Sequence, residues 1–442
     1  MKTYSKLWSA ITALVFAALA VIPLISGGAR AAGPWYVDPG GSDGNSCLSA
    51  GSPCATINGA IGKAASGDTI YVATGVYISS TGSEVVLIDK DITLSGGWDA
   101  TFATQNGMST IDSEGTRRGI MVNSYVTAII ERFVIQNGLN WESDYAGGIL
   151  NRGILTLNNS NVSGNTSTNG AGGISNTQGI VTLNNSTVSN NTGPHFGGII
   201  NSEGTMILNN STVSNNKYGG IFNEDTLTLN NSTVSRNTRG GDGGGILNYG
   251  NSILNNSTVS GNTSGGDGGG IANYYGNSIL NNSTVSGNTS QNGNSGGIFN
   301  SYGSVTLQNS ILAGNSDAGS GPDCTGNIVS SGYNLIGDTS GCTFNPGTGD
   351  LTNIYANLGQ LVGSPGYHPL LSGSPAINAG NPAGCTDHLG SPLNTDQRGA
   401  TRVGGCDIGA YEYTIPGAAA SISVLNGTPQ RTPPLQAFGL PL

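Results

Sequence analysis

Between Gly147 and Asn315 the chain writes one phrase seven times, and no other feature limits its fold so tightly. Each copy opens on GGI, one further residue and Asn: GGILN at Gly147 and Gly244, GGISN at Gly172, GGIIN at Gly197, GGIFN at Gly219 and Gly296, and GGIAN at Gly269. A second phrase follows each time. It reads LNNSNVSGN from Leu157, LNNSTVSNN from Leu183 and Leu208, LNNSTVSRN from Leu229, LNNSTVSGN from Leu254 and Leu280, and LQNSILAGN from Leu307. The copies step by 21 to 27 residues. Self-similarity at such a period marks a solenoid, in which each repeat buries its apolar face on its neighbours.

Within the copy at Gly244, three short apolar stretches each close on Asn: Ile246 to Asn248, Ile253-Leu254 to Asn256, and Val259 to Asn262. Stretches with one or two inward aliphatics are too short for helices and read as strands. Three strands and three turns per copy make one rung of a parallel β-helix, so the expected fold class is all-β. Each Val, Ile or Leu then lies above its counterpart at about 4.8 Å, and burying one such side chain contributes roughly 1.5–3 kcal/mol.

The asparagines fit the same scheme. Asn tolerates the left-handed backbone of a sharp turn, and identical stacked amides can bond from rung to rung. One expected ladder holds Asn151, Asn176, Asn201, Asn223, Asn248, Asn273 and Asn300. A second holds Asn165, Asn191, Asn216, Asn237, Asn262, Asn288 and Asn315. The NNS and NST triplets are also glycosylation sequons, but the ladders account for them without a glycan. From the last Asn of a copy to the next GG the count varies from 3, at Asn216, to 8, at Asn288. Insertions therefore project along one edge, where solenoids bind.

Composition separates this chain from a disordered one. It has 73 glycines and only 9% charged residues, yet its aliphatics recur on schedule. A formal charge of -10 argues against nucleic acid and anionic membrane surfaces as partners. Residues 1–31 carry Lys2, Lys6, an apolar run from Leu7 to Ile25 and Ala29-Arg30-Ala31, the pattern of a cleaved secretory signal. No later segment is expected to span a membrane. Six cysteines in three local groups pair most simply as Cys47–Cys54, Cys324–Cys342 and Cys385–Cys406, in an oxidising compartment. A secreted or cell-surface monomer without cofactor or metal is the expectation.

Both ends resemble known families. Trp35 to Tyr77, with its GDTIYV strand and G-V-Y, resembles the N-terminal cap of pectate-lyase-like β-helix proteins, and Ile57, Ala60, Ile61 and Ala64 fall at helical spacing. That likeness implies a right-handed coil closed by a cap helix. His368 to Tyr413, with SPAINAG, DQRG and CDIGAYE, is similar to the C-terminal motif of the choice-of-anchor Q domain family of bacterial surface proteins. The repeats are more distantly similar to those of polymorphic outer membrane proteins, which act as adhesins. The tail resembles the opening strand of a bacterial immunoglobulin-like module. The expected organisation is a signal at 1–31, an N-terminal cap at 32–67, and a β-helix at 68–343 with its clear repeats at 147–316. A C-terminal cap with the choice-of-anchor Q motif at 344–413 and a Pro-containing tail at 414–442 complete it.

No catalytic set stands out. Glu203 and Glu224 occupy equivalent turns on neighbouring rungs, with Asp225 beside Glu224, and read as a solvated edge. His195, in NNTGPHFGG, has no acid in its own loop. Asp242 and Asp267, in two copies of GGDGGGI, match no Ca²⁺ loop. Asp396, Arg398, Asp407 and Glu412 read as ion pairs within the terminal motif. The candidate binding residues are Tyr249, Tyr274, Tyr275 and Tyr302, expected to stack along one edge and receive sugar rings. The reading is thus a binding protein of adhesin type for carbohydrate or a neighbouring surface. The alternative is a polysaccharide lyase or glycoside hydrolase.

Overall fold

The computed structural model describes residues 33–140, 146–319, 321–403 and 405–414. The expected signal at 1–31 and all but the first residue of the expected tail lie outside these. The described chain is a parallel β-solenoid of about 11 turns. Each rung has three faces. In the rung at Gly244 these are the strands Ile246–Asn248, Asn251–Asn255 and Thr258–Ser260. Within the seven copies the strands of each face pair in register with their equivalents in the next rung, as in Ile246↔Ile271, Leu254↔Leu280 and Val259↔Val285. The core is the stack of inward residues, such as Ile149, Ile174 and Ile199 on the first face and Val162, Val188 and Val213 on the third, all buried.

Both expected ladders form. Along the first, each amide Nδ2 donates to the next Oδ1, from Asn151 to Asn176 at 2.7 Å through Asn273 to Asn300 at 2.8 Å. Along the second, Asn165 donates to Asn191 at 3.0 Å, and so on to Asn288 and Asn315 at 2.9 Å. The last amide, Asn315, donates to Asp323 Oδ1 at 2.9 Å, so a carboxylate ends the ladder. The second glycine of each GG makes room for this column. A Cβ on Gly245 would meet the Gly270 carbonyl oxygen at 2.5 Å and Asn262 Nδ2 at 2.9 Å.

The division of labour among asparagines differs from the expectation. Ladder residues are not the left-handed ones. In NNS the first Asn joins a third ladder, as Asn184 to Asn158 at 2.9 Å. The second takes the left-handed turn, with φ 49° at Asn185 and 47° at Asn256. The serine hydroxyl accepts the backbone N–H of its counterpart one rung earlier, as Ser211 Oγ does from Ser186. One amide cannot both hold the left-handed turn and sit inside the coil, so adjacent residues share the tasks. The apolar pair Ile253-Leu254 also divides: Leu254 is buried, while Ile253 points outward and Ser252 points in. Strand alternation requires this.

The expected cap helix is present as Ile57–Lys63. Thr56 Oγ1 accepts Gly59 N–H at 2.9 Å, and Ile57, Ala60 and Ile61 are buried against the first coil. The three expected disulfides are formed. Beyond Leu358 the chain turns back and lies as a strap along the outside of the third face. Gln397 Nε2 donates to Thr233 Oγ1 at 2.9 Å, Asn256 Nδ2 to the Thr395 carbonyl at 2.9 Å, and Asn309 Nδ2 to the Asp407 carbonyl at 2.9 Å. The stretch expected to cap the last coil thus flanks several rungs, because its bonding partners are outward residues of the third face.

Candidate functional site

The loops from the third face to the first fold over the outside of the first face. The shortest, between Asn216 and Gly219, leaves a notch, and residues from the longer loops on either side lean into it. Phe196 stacks on Phe222 with centroids 5.3 Å apart and 20° between planes. The Arg239 guanidinium sits 4.1 Å from the Phe196 centroid, a cation–π contact. Gly219, at φ 114°, lets them approach, since a Cβ there would lie 2.6 Å from the Phe196 ring.

The notch is a concave pocket of about 480 Å³. Ser175, Ile200 and Phe222 floor it, Phe196 and Arg239 form one wall, and the turn edge carrying Gln178, Glu203 and Glu224 forms the other, with His195 also lining it. Gln178 Nε2 donates to Glu203 at 2.8 Å, and Ser202 Oγ donates to Glu224 at 2.6 Å. Burial holds the Arg239 guanidinium below its ordinary pKa, partly offset by the negative Asp242. The pocket therefore brings a base, two carboxylates, an amide and a cation around an aromatic floor. His195, which has no acid in its own loop, lines the same pocket as Glu203 and Glu224. Asp225 is exposed and does not line the pocket.

The tyrosines form two stacks rather than the single expected strip. Tyr249 stacks on Tyr274 at 5.7 Å and 19°, and Tyr275 on Tyr302 at 5.3 Å and 9°. Asn273 is followed by two tyrosines, so Tyr274 stays in line with Tyr249 while Tyr275 turns out with positive φ. Tyr275 and Tyr302 are 68% and 83% exposed and free to meet a ligand. Tyr274 is half-buried and donates to Asp242 Oδ2 at 2.9 Å; burial and this bond raise its pKa.

Asp242 and Asp267 staple loops to one another. Asp242 Oδ1 accepts Asp267 N–H at 2.8 Å, and Asp267 Oδ1 accepts Asn294 N–H at 2.6 Å. Among the described residues no three His, Cys, Asp or Glu side chains converge as a metal site would need. In the strap, Arg398 pairs with Asp396 at 2.6 Å and Arg402 with Glu412 at 3.1 Å. Burial raises the Asp407 and Glu412 carboxyls.

Sequence reasoning missed Phe196, Phe222 and Arg239. The available signal was the shortest loop of the series, at Asn216, flanked by Phe196, where the two preceding copies carry Ala146 and Ala171, and by Arg239, where the next two carry Ser264 and Ser290.

No protein-family model and no curated protein matches the chain. Among solved structures it is similar to pectate lyase Pel9A, with a TM-score of 0.53 at 16% identity over 86% of this chain and 96% of that one. It is more weakly similar to a rhamnogalacturonan lyase, with a TM-score of 0.34 at 12% identity over 75% and 91% of the two chains. The first likeness is one of fold, the pectate-lyase-like β-helix expected from the N-terminal stretch.

Proposed function

We propose that the protein binds a polysaccharide outside the cell, along the edge from the His195 pocket to the Tyr275–Tyr302 stack. One observation carries this: an aromatic-floored pocket with a polar rim shares its turn edge with exposed, parallel tyrosine rings. Sugar rings stack their C–H faces on such rings while their hydroxyls bond to amides and carboxylates. The disulfides agree with an extracellular setting. No described helix is long and apolar enough to cross a membrane. Membership of the choice-of-anchor Q family and attachment to a bacterial surface belong to this reading and rest on the terminal motif. The test is retention on a panel of immobilised polysaccharides. Retention lost in Tyr275→Ala/Tyr302→Ala supports the edge; retention untouched by that variant, or absent from the whole panel, overturns it.

The pocket's chemistry favours a second reading, cleavage of an acidic polysaccharide, and the fold shared with a lyase agrees with it. In a β-elimination His195 takes the proton α to a uronate carboxylate, whose charge Arg239 offsets. The glycosidic C–O bond then breaks, and the leaving oxygen takes up a proton from His195 or from water. This reading requires an unsaturated product, absorbing in the ultraviolet, that disappears in His195→Ala. The comparisons lend adhesion no comparable support.

A further inference from the structure

Of the three faces, the first is roofed by loops and the third, from Thr233 onward, by the strap. The second carries neither, except at its late edge, where Gln308 Nε2 donates to Thr386 Oγ1 of the strap at 3.0 Å. Its outward residues form three straight rows, set by a register without bulge or shift from Ile154 to Gln308. The central row is Thr156, Thr182, Ile207, Thr228, Ile253, Ile279 and Thr306, β-branched at every rung. One flanking row begins Ile154, Ile180, Thr205 and Thr226 and ends on Asn251, Asn277 and Ser304. The other is the third Asn ladder, whose amides bond to one another from Asn158 to Asn281. None of these positions is charged and none is aromatic.

β-branched side chains are restricted at χ1, and the ladder pins its amides, so methyl and hydroxyl groups stand on an ordered lattice. Its periods are about 4.8 Å across strands and about 6.6 Å along them. A protein partner has no use for translational repeats and meets aromatic or charged anchors. A soluble glycan is periodic in one direction and stacks on aromatic rings, which this face lacks. An ordered array with two periods, mixed methyls and hydroxyls and no charge matches a crystalline surface made of water. We infer that the second face binds ice, holding ordered water between its Thr hydroxyls and the methyls of its Thr and Ile.

The test freezes a solution of the full chain slowly and measures the protein carried into the ice, together with crystal growth and shape under a microscope. Wild type concentrates in the ice and slows growth. Thr182→Lys/Thr228→Lys, which sets two charges in the central row, loses both effects while keeping its melting temperature and its retention on polysaccharide. Asn185→Lys/Asn210→Lys, an equal charge on two exposed turns, keeps them. Exclusion of wild type from ice overturns the inference, as does unchanged binding by the double variant. A wild-type dimer in sedimentation that the double variant breaks assigns the face to a second copy instead. Retention on crystalline polysaccharide through these rows, without ice binding, also overturns it.

Discussion

The stretches LNNSTVSNN at Leu183 and LNNSTVSGN at Leu280 differ by one residue, yet their outward side chains live in different surroundings. In the first, Asn185 is exposed and Thr187 and Ser189 are half-buried. In the second, Asn282, Thr284 and Ser286 are all buried. There Asn282 Nδ2 donates to the Thr386 carbonyl at 2.8 Å, and Thr284 Oγ1 accepts Ala410 N–H at 3.2 Å. The strap makes the difference. Inward residues of a solenoid repeat are decided by the repeat itself, because each meets its own copy above and below. Outward residues are decided by whatever non-repeating segment reaches them.

That comparison can be broken at the strap. Arg402 and Glu412 are almost wholly buried, at 6% and 1% exposure, and pair at 3.1 Å. Arg402→Ala leaves the Glu412 carboxylate uncompensated, a loss of about 3–5 kcal/mol for a buried pair. Denaturant unfolding should show this as a weakened late region, with the early rungs little changed.

A smaller effect sharpens it at one residue. Asn185 and Asn282 share a left-handed φ of 49°, so Asn→Ala gives up the same turn preference at either site. Only Asn282 also holds the strap and accepts Asn309 Nδ2 at 2.7 Å. The Asn282→Ala variant should therefore lose about 1–3 kcal/mol more than Asn185→Ala, from buried groups left unsatisfied. Equal losses in thermal melts would mean that the strap contacts add nothing to stability.

The smallest effect concerns pH and the end of the interior ladder. Burial lifts Asp323 from 3.8 to about 6, against the bonds it accepts from Asn315. Between those values the folded chain holds a proton that the unfolded chain has released, so this group's contribution falls as pH rises and is least favourable above about 6. Asp323→Asn keeps the acceptor for Asn315 without the charge. Its stability relative to wild type should grow as pH rises through that window and stay level above it, measured by urea midpoints.

Much of the scaffold was legible because its rules are local and repeated. GGI, NNS and the spacing of Val, Ile and Leu placed the strands, the two interior ladders and the core. The cap helix was legible from Ile57, Ala60, Ile61 and Ala64, and the disulfides from the grouping of their cysteines. The candidate site was legible only in fragments. Glu203 and Glu224 appeared as a pair and His195 as an orphan. Their common pocket needed Phe196 from one loop, Phe222 from the next rung and Arg239 from the loop after. Likewise Tyr274 and Tyr275 are neighbours in the chain but join different stacks, because one continues a strand and the other begins a turn.

By itself the sequence determined a parallel β-solenoid with polar ladders, since a repeat has its own copy as nearest neighbour and its pattern specifies those contacts. The tertiary structure decided which side of the coil stays bare, which is strapped and where a short loop opens a pocket. Those outcomes depend on side chains from distant or unequal segments meeting outside the coil, and no single repeat carries that information.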